Sequence, residues 1–105
     1  MSTIKSTRWR FLTNHARVLV FIDKHEKVTV RVISDSLGIA EPSVRRIISQ
    51  LMDAGYVSKR LVGRVNLYRV TATLPLKAPE FSKVPVRKLI DSLSIAEEGE
   101  ALSKT

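Results

Sequence analysis

Two adjacent arginines, Arg45 and Arg46, stand in the stretch SVRRIISQ together with Ser43, Ser49 and Gln50. Two guanidinium cations beside hydroxyl and amide side chains suit contact with a polyanionic partner better than bond-making chemistry. The sequence shows no Gly-x-Ser-x-Gly elbow, no phosphate-cradling glycine loop and no paired-carboxylate motif, so an enzyme would lack a recognisable nucleophile or base. It holds no cysteine, which excludes a disulfide framework, a thiolate metal site and a thiol redox centre. His15 and His25 lie ten positions apart without a ligand partner at i+4, a spacing that does not make a metal site. His15 is expected to cap or pack near a helix start. Neither a metal nor a cofactor is expected.

The role of the arginines depends on the segment that carries them. From Glu41 to Ala54, Val44, Ile47, Ile48 and Leu51 recur at i, i+3, i+4 and i+7, which at about 100° per residue makes one apolar stripe on a helix. Pro42, Arg46, Ser49 and Asp53 then stand on the far side, flanked by Ser43, Arg45 and Gln50, so the arginines face away from the core. Pro42 is tolerated because first-turn amides have no helical partner. Ala40, at the N-cap position, offers no side-chain oxygen, which forgoes about 1 kcal/mol of capping.

The neighbouring segments define the frame around that helix. Thr13 can cap a helix from Asn14 to about Lys24, whose run Val18 to Ile22 is apolar on most sides and predicts the most buried helix. Lys27 and Val28 read as a short extended piece. Thr29 caps a second helix to about Leu37, with Val30, Ile33 and Leu37 on one face, and Gly38 ends it in a left-handed conformation. Val32 stands where an acid would complete a capping box. Tyr56 to Arg60 and Val65 to Val70 read as the strands of a hairpin turned at Gly63, with Arg60 and Arg64 flanking its tip. Leu74 to Pro85 contains three prolines and reads as an extended connector. Pro85 can open a last helix to about Leu93, with Val86, Leu89, Ile90 and Leu93 as its apolar stripe. Trp9 and Phe11 are expected to tuck against the core or a partner, with stacking of RWRF on single-stranded bases as the lesser alternative.

Charge agrees with a polyanionic partner. Residues 1–75 hold thirteen Lys or Arg against five acids, whereas 76–105 hold five of each, so the whole net charge of +8 lies in the N-terminal part. Nucleic acid ranks ahead of an anionic membrane because no basic helix with a broad apolar face appears. The longest apolar run is far short of a membrane span, and the first ten residues lack the apolar stretch of a signal peptide, so a cytoplasmic protein is expected. A length of 105 residues and 44% hydrophobic content fit one globular domain.

The order helix, helix, four-residue turn, helix, hairpin with a basic tip resembles a winged helix-turn-helix. With WRFLTNHARVLVFI leading into the first helix, SLGIAEPSVRRIISQLMDAGYV across the turn and third helix, and GRVNLYRV in the wing, the chain resembles small bacterial winged-helix transcriptional regulators of the MarR and ArsR-like superfamily. The resemblance spans roughly Trp9 to Val70. It implies an α+β, mostly α fold: a three-helix core with a β-hairpin wing, plus a C-terminal helix. The corresponding organisation is a flexible arm over 1–8, a DNA-binding domain over 9–74, a connector and dimerisation helix over 75–95 and a disordered tail over 96–105.

The same resemblance implies that Glu41 to Asp53 enters the major groove of double-stranded DNA with Pro42, Ser43, Arg45, Arg46, Ser49 and Gln50, while Arg60 and Arg64 reach backbone or minor groove. Arg45 and Arg46 meet either guanine edges, for about 1–3 kcal/mol of discrimination, or phosphates, which add affinity without sequence information. A merely solvated face is the bland alternative for them, and a charged tip that keeps a sheet edge soluble is the alternative for Arg60 and Arg64. Val65 and Leu67 make the outer wing face apolar where basic residues are expected. Together with Val86, Leu89, Ile90 and Leu93 they point to a homodimer, which would read two half-sites about 34–36 Å apart on an inverted repeat. The expected function is sequence-specific transcriptional regulation without catalysis; a protein-binding winged helix and a nonspecific or architectural DNA binder are the alternatives. The larger ligand-sensing relatives have longer dimerisation helices, and no small-molecule effector is indicated here.

Overall fold

Threonine caps set the first two helices of the computed structural model, which describes residues 9–25 and 27–93. The Thr13 hydroxyl accepts from the Ala16 N–H at 3.1 Å and opens α1, Asn14–Lys24. The Thr29 hydroxyl accepts from the Val32 N–H at 3.2 Å and opens α2, Val30–Leu37. This single bond satisfies one orphan amide, as a cap without its acidic partner should. Gly38, at φ 70°, closes α2 by donating its N–H to the Ser34 carbonyl at 2.9 Å, a conformation that glycine reaches without a Cβ penalty. α3, Glu41–Asp53, begins at Ala40 without a side-chain cap and with Pro42 in its first turn.

The wing consists of β1, Val57–Val62, and β2, Val65–Val70, paired antiparallel from Val57 opposite Val70 to Val62 opposite Val65. Gly63, at φ 63°, supplies the positive φ of the two-residue turn. β1 starts one residue later and ends two residues later than the alternation pattern predicts, because the turn at Gly63 pairs strands of equal length. The sheet has two strands among the described residues.

The three-proline segment is not an extended connector. It folds back on itself around a short 3-10 turn, Pro79–Phe81, and Pro75 and Pro85 face each other in an isolated bridge. The hydrogen bonds there use flanking amides, Leu76 N–H to the Val84 carbonyl and Val86 N–H to the Leu74 carbonyl, each at 2.8 Å. Neither proline is asked for the amide it lacks. The Tyr56 hydroxyl also donates to the Pro75 carbonyl. Residues 86–93 then form helix α4.

One core joins these elements. Val18 and Ile22 of α1, Val28, Ile33 of α2, Val44 and Ile47 of α3, Val57 and Tyr68 of the wing and Ile90 of α4 are all buried in it. Val86 and Ile90, at 3% and 0% exposure, are committed to this core, which corrects the expectation that they form a dimerisation surface. That edge of the α4 stripe covers the chain's own core. Leu93 also packs against the core from a partly buried position, and Leu89 is half-buried. Trp9 and Phe11 do the reverse: they meet edge to face at 4.9 Å and are 64% and 89% exposed, so they are not tucked against the core. The arm over 1–8 and the tail over 96–105 lie outside the described residues.

Candidate nucleic-acid interface

α3 presents the face that its apolar spacing dictates. Val44, Ile47, Ile48 and Leu51 are buried, whereas Pro42, Arg45, Arg46, Ser49 and Gln50 are exposed and Ser43 is half-buried. Five positions with hydrogen-bonding side chains thus line one side of a helix whose other side anchors it to α1 and α2. Arg45 lies 3.7 Å from Glu41, one turn earlier, and both are well exposed. Such a pair is worth little in water, so a phosphate can displace the carboxylate at small cost. Arg46 has no ion-pair partner among the described residues.

Gln50 is engaged. Its Oε1 lies 2.6 Å from Nε2 of His15, a residue 35 positions earlier in the first turn of α1. His15 therefore neither caps α1, a task Thr13 performs, nor packs within it; it bridges to α3.

Strand register divides the wing into two faces. Lys59 is opposite Tyr68 and shares the side on which the Tyr68 ring enters the core, as does Asn66 two positions before it. Lys59 and Asn66 join Arg45 and Ser49 around a groove of about 240 Å³ between α3 and the wing, floored by Val30, Ile48 and Met52. Sequence reading missed both residues. The signal that finds them is alternation counted from the buried tyrosine, once the turn at Gly63 fixes the register.

Arg60 is on the opposite face. It sits across from Leu67, and Ser58 sits across from Arg69. These four residues, with Ile22, Asp23, Lys27 and Arg87, line an outer cleft of about 440 Å³. The Asp23 carboxylate accepts a two-pronged pair of hydrogen bonds from Arg87, both at 3.1 Å, and Asp91 accepts a third at 3.3 Å. The bond to Asp23 raises the Arg87 pKa above its ordinary value, against the opposing effect of burial; this bidentate pair ties α4 to α1. Arg17 is structural as well, donating to Asn14 and to the Leu37 carbonyl at the end of α2, each at 2.9 Å. Arg64 is exposed at the wing tip, Val65 is 44% exposed, and Leu67 is half-buried.

Among the described residues there is no group of three potential metal ligands, and no helix is long and apolar enough to cross a membrane. The winged helix-turn-helix frame has a counterpart among known families: the model of the MarR family matches residues 11–64, from the approach to α1 through the wing tip. The chain belongs to the MarR family. MarR proteins are winged-helix DNA-binding regulators rather than enzymes, and the architecture read from the sequence is the one found. An uncharacterized protein of Methanocaldococcus jannaschii is 33% identical over 72 residues, which are 68% of this chain and 15% of that protein. The chain therefore spans only a small part of that relative. Streptococcus pneumoniae FabT, solved in complex with DNA, superimposes with a TM-score of 0.58 at 14% identity, covering 99% of this chain and 69% of FabT. Lactococcus lactis ZitR gives a TM-score of 0.55 at 16% identity, covering 95% of this chain and 66% of ZitR. At those identities the likeness is one of fold.

Proposed function

We propose that this MarR-family chain is a sequence-specific transcriptional regulator that binds double-stranded DNA through the exposed face of α3 and the inner face of the wing. The observation that carries the reading is the convergence of Arg45 and Ser49 with Lys59 and Asn66 on one groove, beside an exposed Arg46 on a helix anchored by its opposite side. In this reading Pro42, Ser43, Arg45, Arg46 and Ser49 approach base edges or flanking phosphates in the major groove, Lys59 and Asn66 approach the backbone, and Arg64 reaches it from the wing tip. FabT, a structural neighbour, was solved with DNA bound. A cytoplasmic site of action follows from that target.

A homodimer on an inverted repeat belongs to the same proposal. Its support is the apolar surface that the monomer leaves uncovered: the Trp9–Phe11 pair and, on the wing, Leu61, Val62 and Val65. Light scattering at micromolar concentration should give twice the monomer mass.

Salt titration tests DNA binding. Affinity for duplex DNA should fall with salt at a log–log slope of about −0.9 per phosphate neutralised. An affinity that ignores salt, or binding to protein partners alone, overturns the proposal.

A further inference from the structure

The outer cleft of the wing gathers cations that have no counter-charge of their own. Lys27, Arg60 and Arg69 line it and are exposed, and no carboxylate among the described residues pairs with any of them. Asp23, the one acid among the described lining residues, is taken by the two-pronged bond from Arg87. Arg60 is opposite Leu67, and Ser58 is opposite Arg69, so the two arginines are diagonal neighbours on one face of the hairpin, a relation that sets residues about 7–8 Å apart. Ile22, Leu67 and Val70 add apolar surface to the same cleft.

We propose that the acidic segment IAEEGE of the same chain, Ile95 to Glu100, docks in this cleft. It holds Glu97, Glu98 and Glu100, three carboxylates within four positions, and Ile95 at its head suits the apolar part of the lining. Its root is fixed beside the cleft, because Arg87 of α4 both lines the cleft and ties α4 to α1. A helix rises about 1.5 Å per residue, so residue 93 is about 9 Å from Arg87. An extended chain gains about 3.4 Å per residue, which lets Glu97 and Glu100 reach about 14 and 24 Å from that helix end. In extended backbone Glu98 and Glu100 share one side about 7 Å apart, close to the spacing of Arg60 and Arg69. An exposed ion pair contributes little by itself, but a short tether supplies an effective concentration on the order of millimolar, so a few weak pairs suffice. A free small anion has neither the tether nor the spacing. The more cationic face of the hairpin is thereby screened by the chain's own acids, which directs polyanions to α3 and the inner face. That consequence rests on the proposed DNA-binding face; the docking itself does not.

The test uses the full chain without DNA. The resonances of Lys27, Arg60 and Arg69 are compared at low salt between wild type and Glu97→Gln/Glu98→Gln/Glu100→Gln. They should differ, by an amount that shrinks with added salt and stays constant with protein concentration. Tripolyphosphate, titrated as a free polyanion, should bind the cleft at least about threefold more tightly in the variant, because no tethered acid competes with it. Its effect on Arg45, on α3, should be nearly the same in both proteins.

Cleft resonances that the substitutions leave unmoved would overturn the proposal. So would a difference that grows with protein concentration, which would put the acids in the cleft of a second copy. Equal strengthening of tripolyphosphate binding at Arg45 and in the cleft would overturn it as well, since the acids would then act through net charge alone. None of these results bears on DNA reading by α3, which fails separately if duplex binding is not seen.

Discussion

The two faces of the wing differ in a way that composition conceals. The outer face has the more cationic surroundings, with Arg60 and Arg69 on the hairpin and Lys27 and Arg87 beside them, while the inner face contributes Lys59 and Asn66. Yet the inner face is the one that shares a groove with α3. Charge count therefore does not locate the candidate interface; register does. Lys59 and Arg60 are neighbours in sequence and stand on opposite sides of a two-stranded sheet, so the proposed duplex along α3 would meet Lys59 and not Arg60. The outer face has its own commitments, because Asp23 occupies the Arg87 fork and so balances part of the charge there.

The largest expected effect comes from removing what orients both faces. Tyr68 is 9% exposed and anchors the wing in the core. Tyr68→Ala should cost about 3–5 kcal/mol in denaturant unfolding, the range for emptying a buried aromatic site, and should loosen both grooves. A loss below about 0.5 kcal/mol, typical of an ordinary surface substitution, would show that the wing is held by other contacts.

The contrast itself is sharpened by a pair of single substitutions. Lys59→Ala should weaken duplex binding several-fold and reduce the magnitude of the salt slope by about 0.9, the share of one phosphate. Arg60→Ala should leave both nearly unchanged. Equal losses in the two variants would mean that DNA embraces the hairpin from both sides. The smallest effect is on the helix side of the groove: Ala40→Ser supplies the missing α3 cap and should raise stability by about 1 kcal/mol, read as a shifted unfolding midpoint. No change would place the introduced hydroxyl out of reach of the orphan amides.

Much of this arrangement was legible in the sequence because it follows local rules. The threonine caps, Gly38, Gly63 and the i, i+3, i+4, i+7 stripe of α3 each act over a few residues, and the structure has each at its predicted place. Features that depend on distant partners were not legible. Nothing in the stripe of α4 says whether Val86 and Ile90 cover their own core or a second copy, since both uses need the same apolar spacing. The loop between Pro75 and Pro85 closes through the amides of Leu76 and Val86, which no local pattern marks. Gln50 could not be paired with His15 from 35 positions away. Closeness to the wing tip favours Arg60 and Arg64, whereas alternation from the buried Tyr68 puts Lys59 on the face beside α3, and it takes the paired register to assign the two faces.

The proposed sequence-specific reading rests most directly on α3. Wild-type protein and the Arg45→Ala/Arg46→Ala variant should be run in parallel through selection of a randomised duplex pool at physiological salt, with folding of both confirmed by circular dichroism. One enriched motif is predicted for wild type, symmetric if the protein is a dimer, together with its loss in the variant. An unchanged motif in the variant, or none from folded wild-type protein, would contradict sequence reading by this helix.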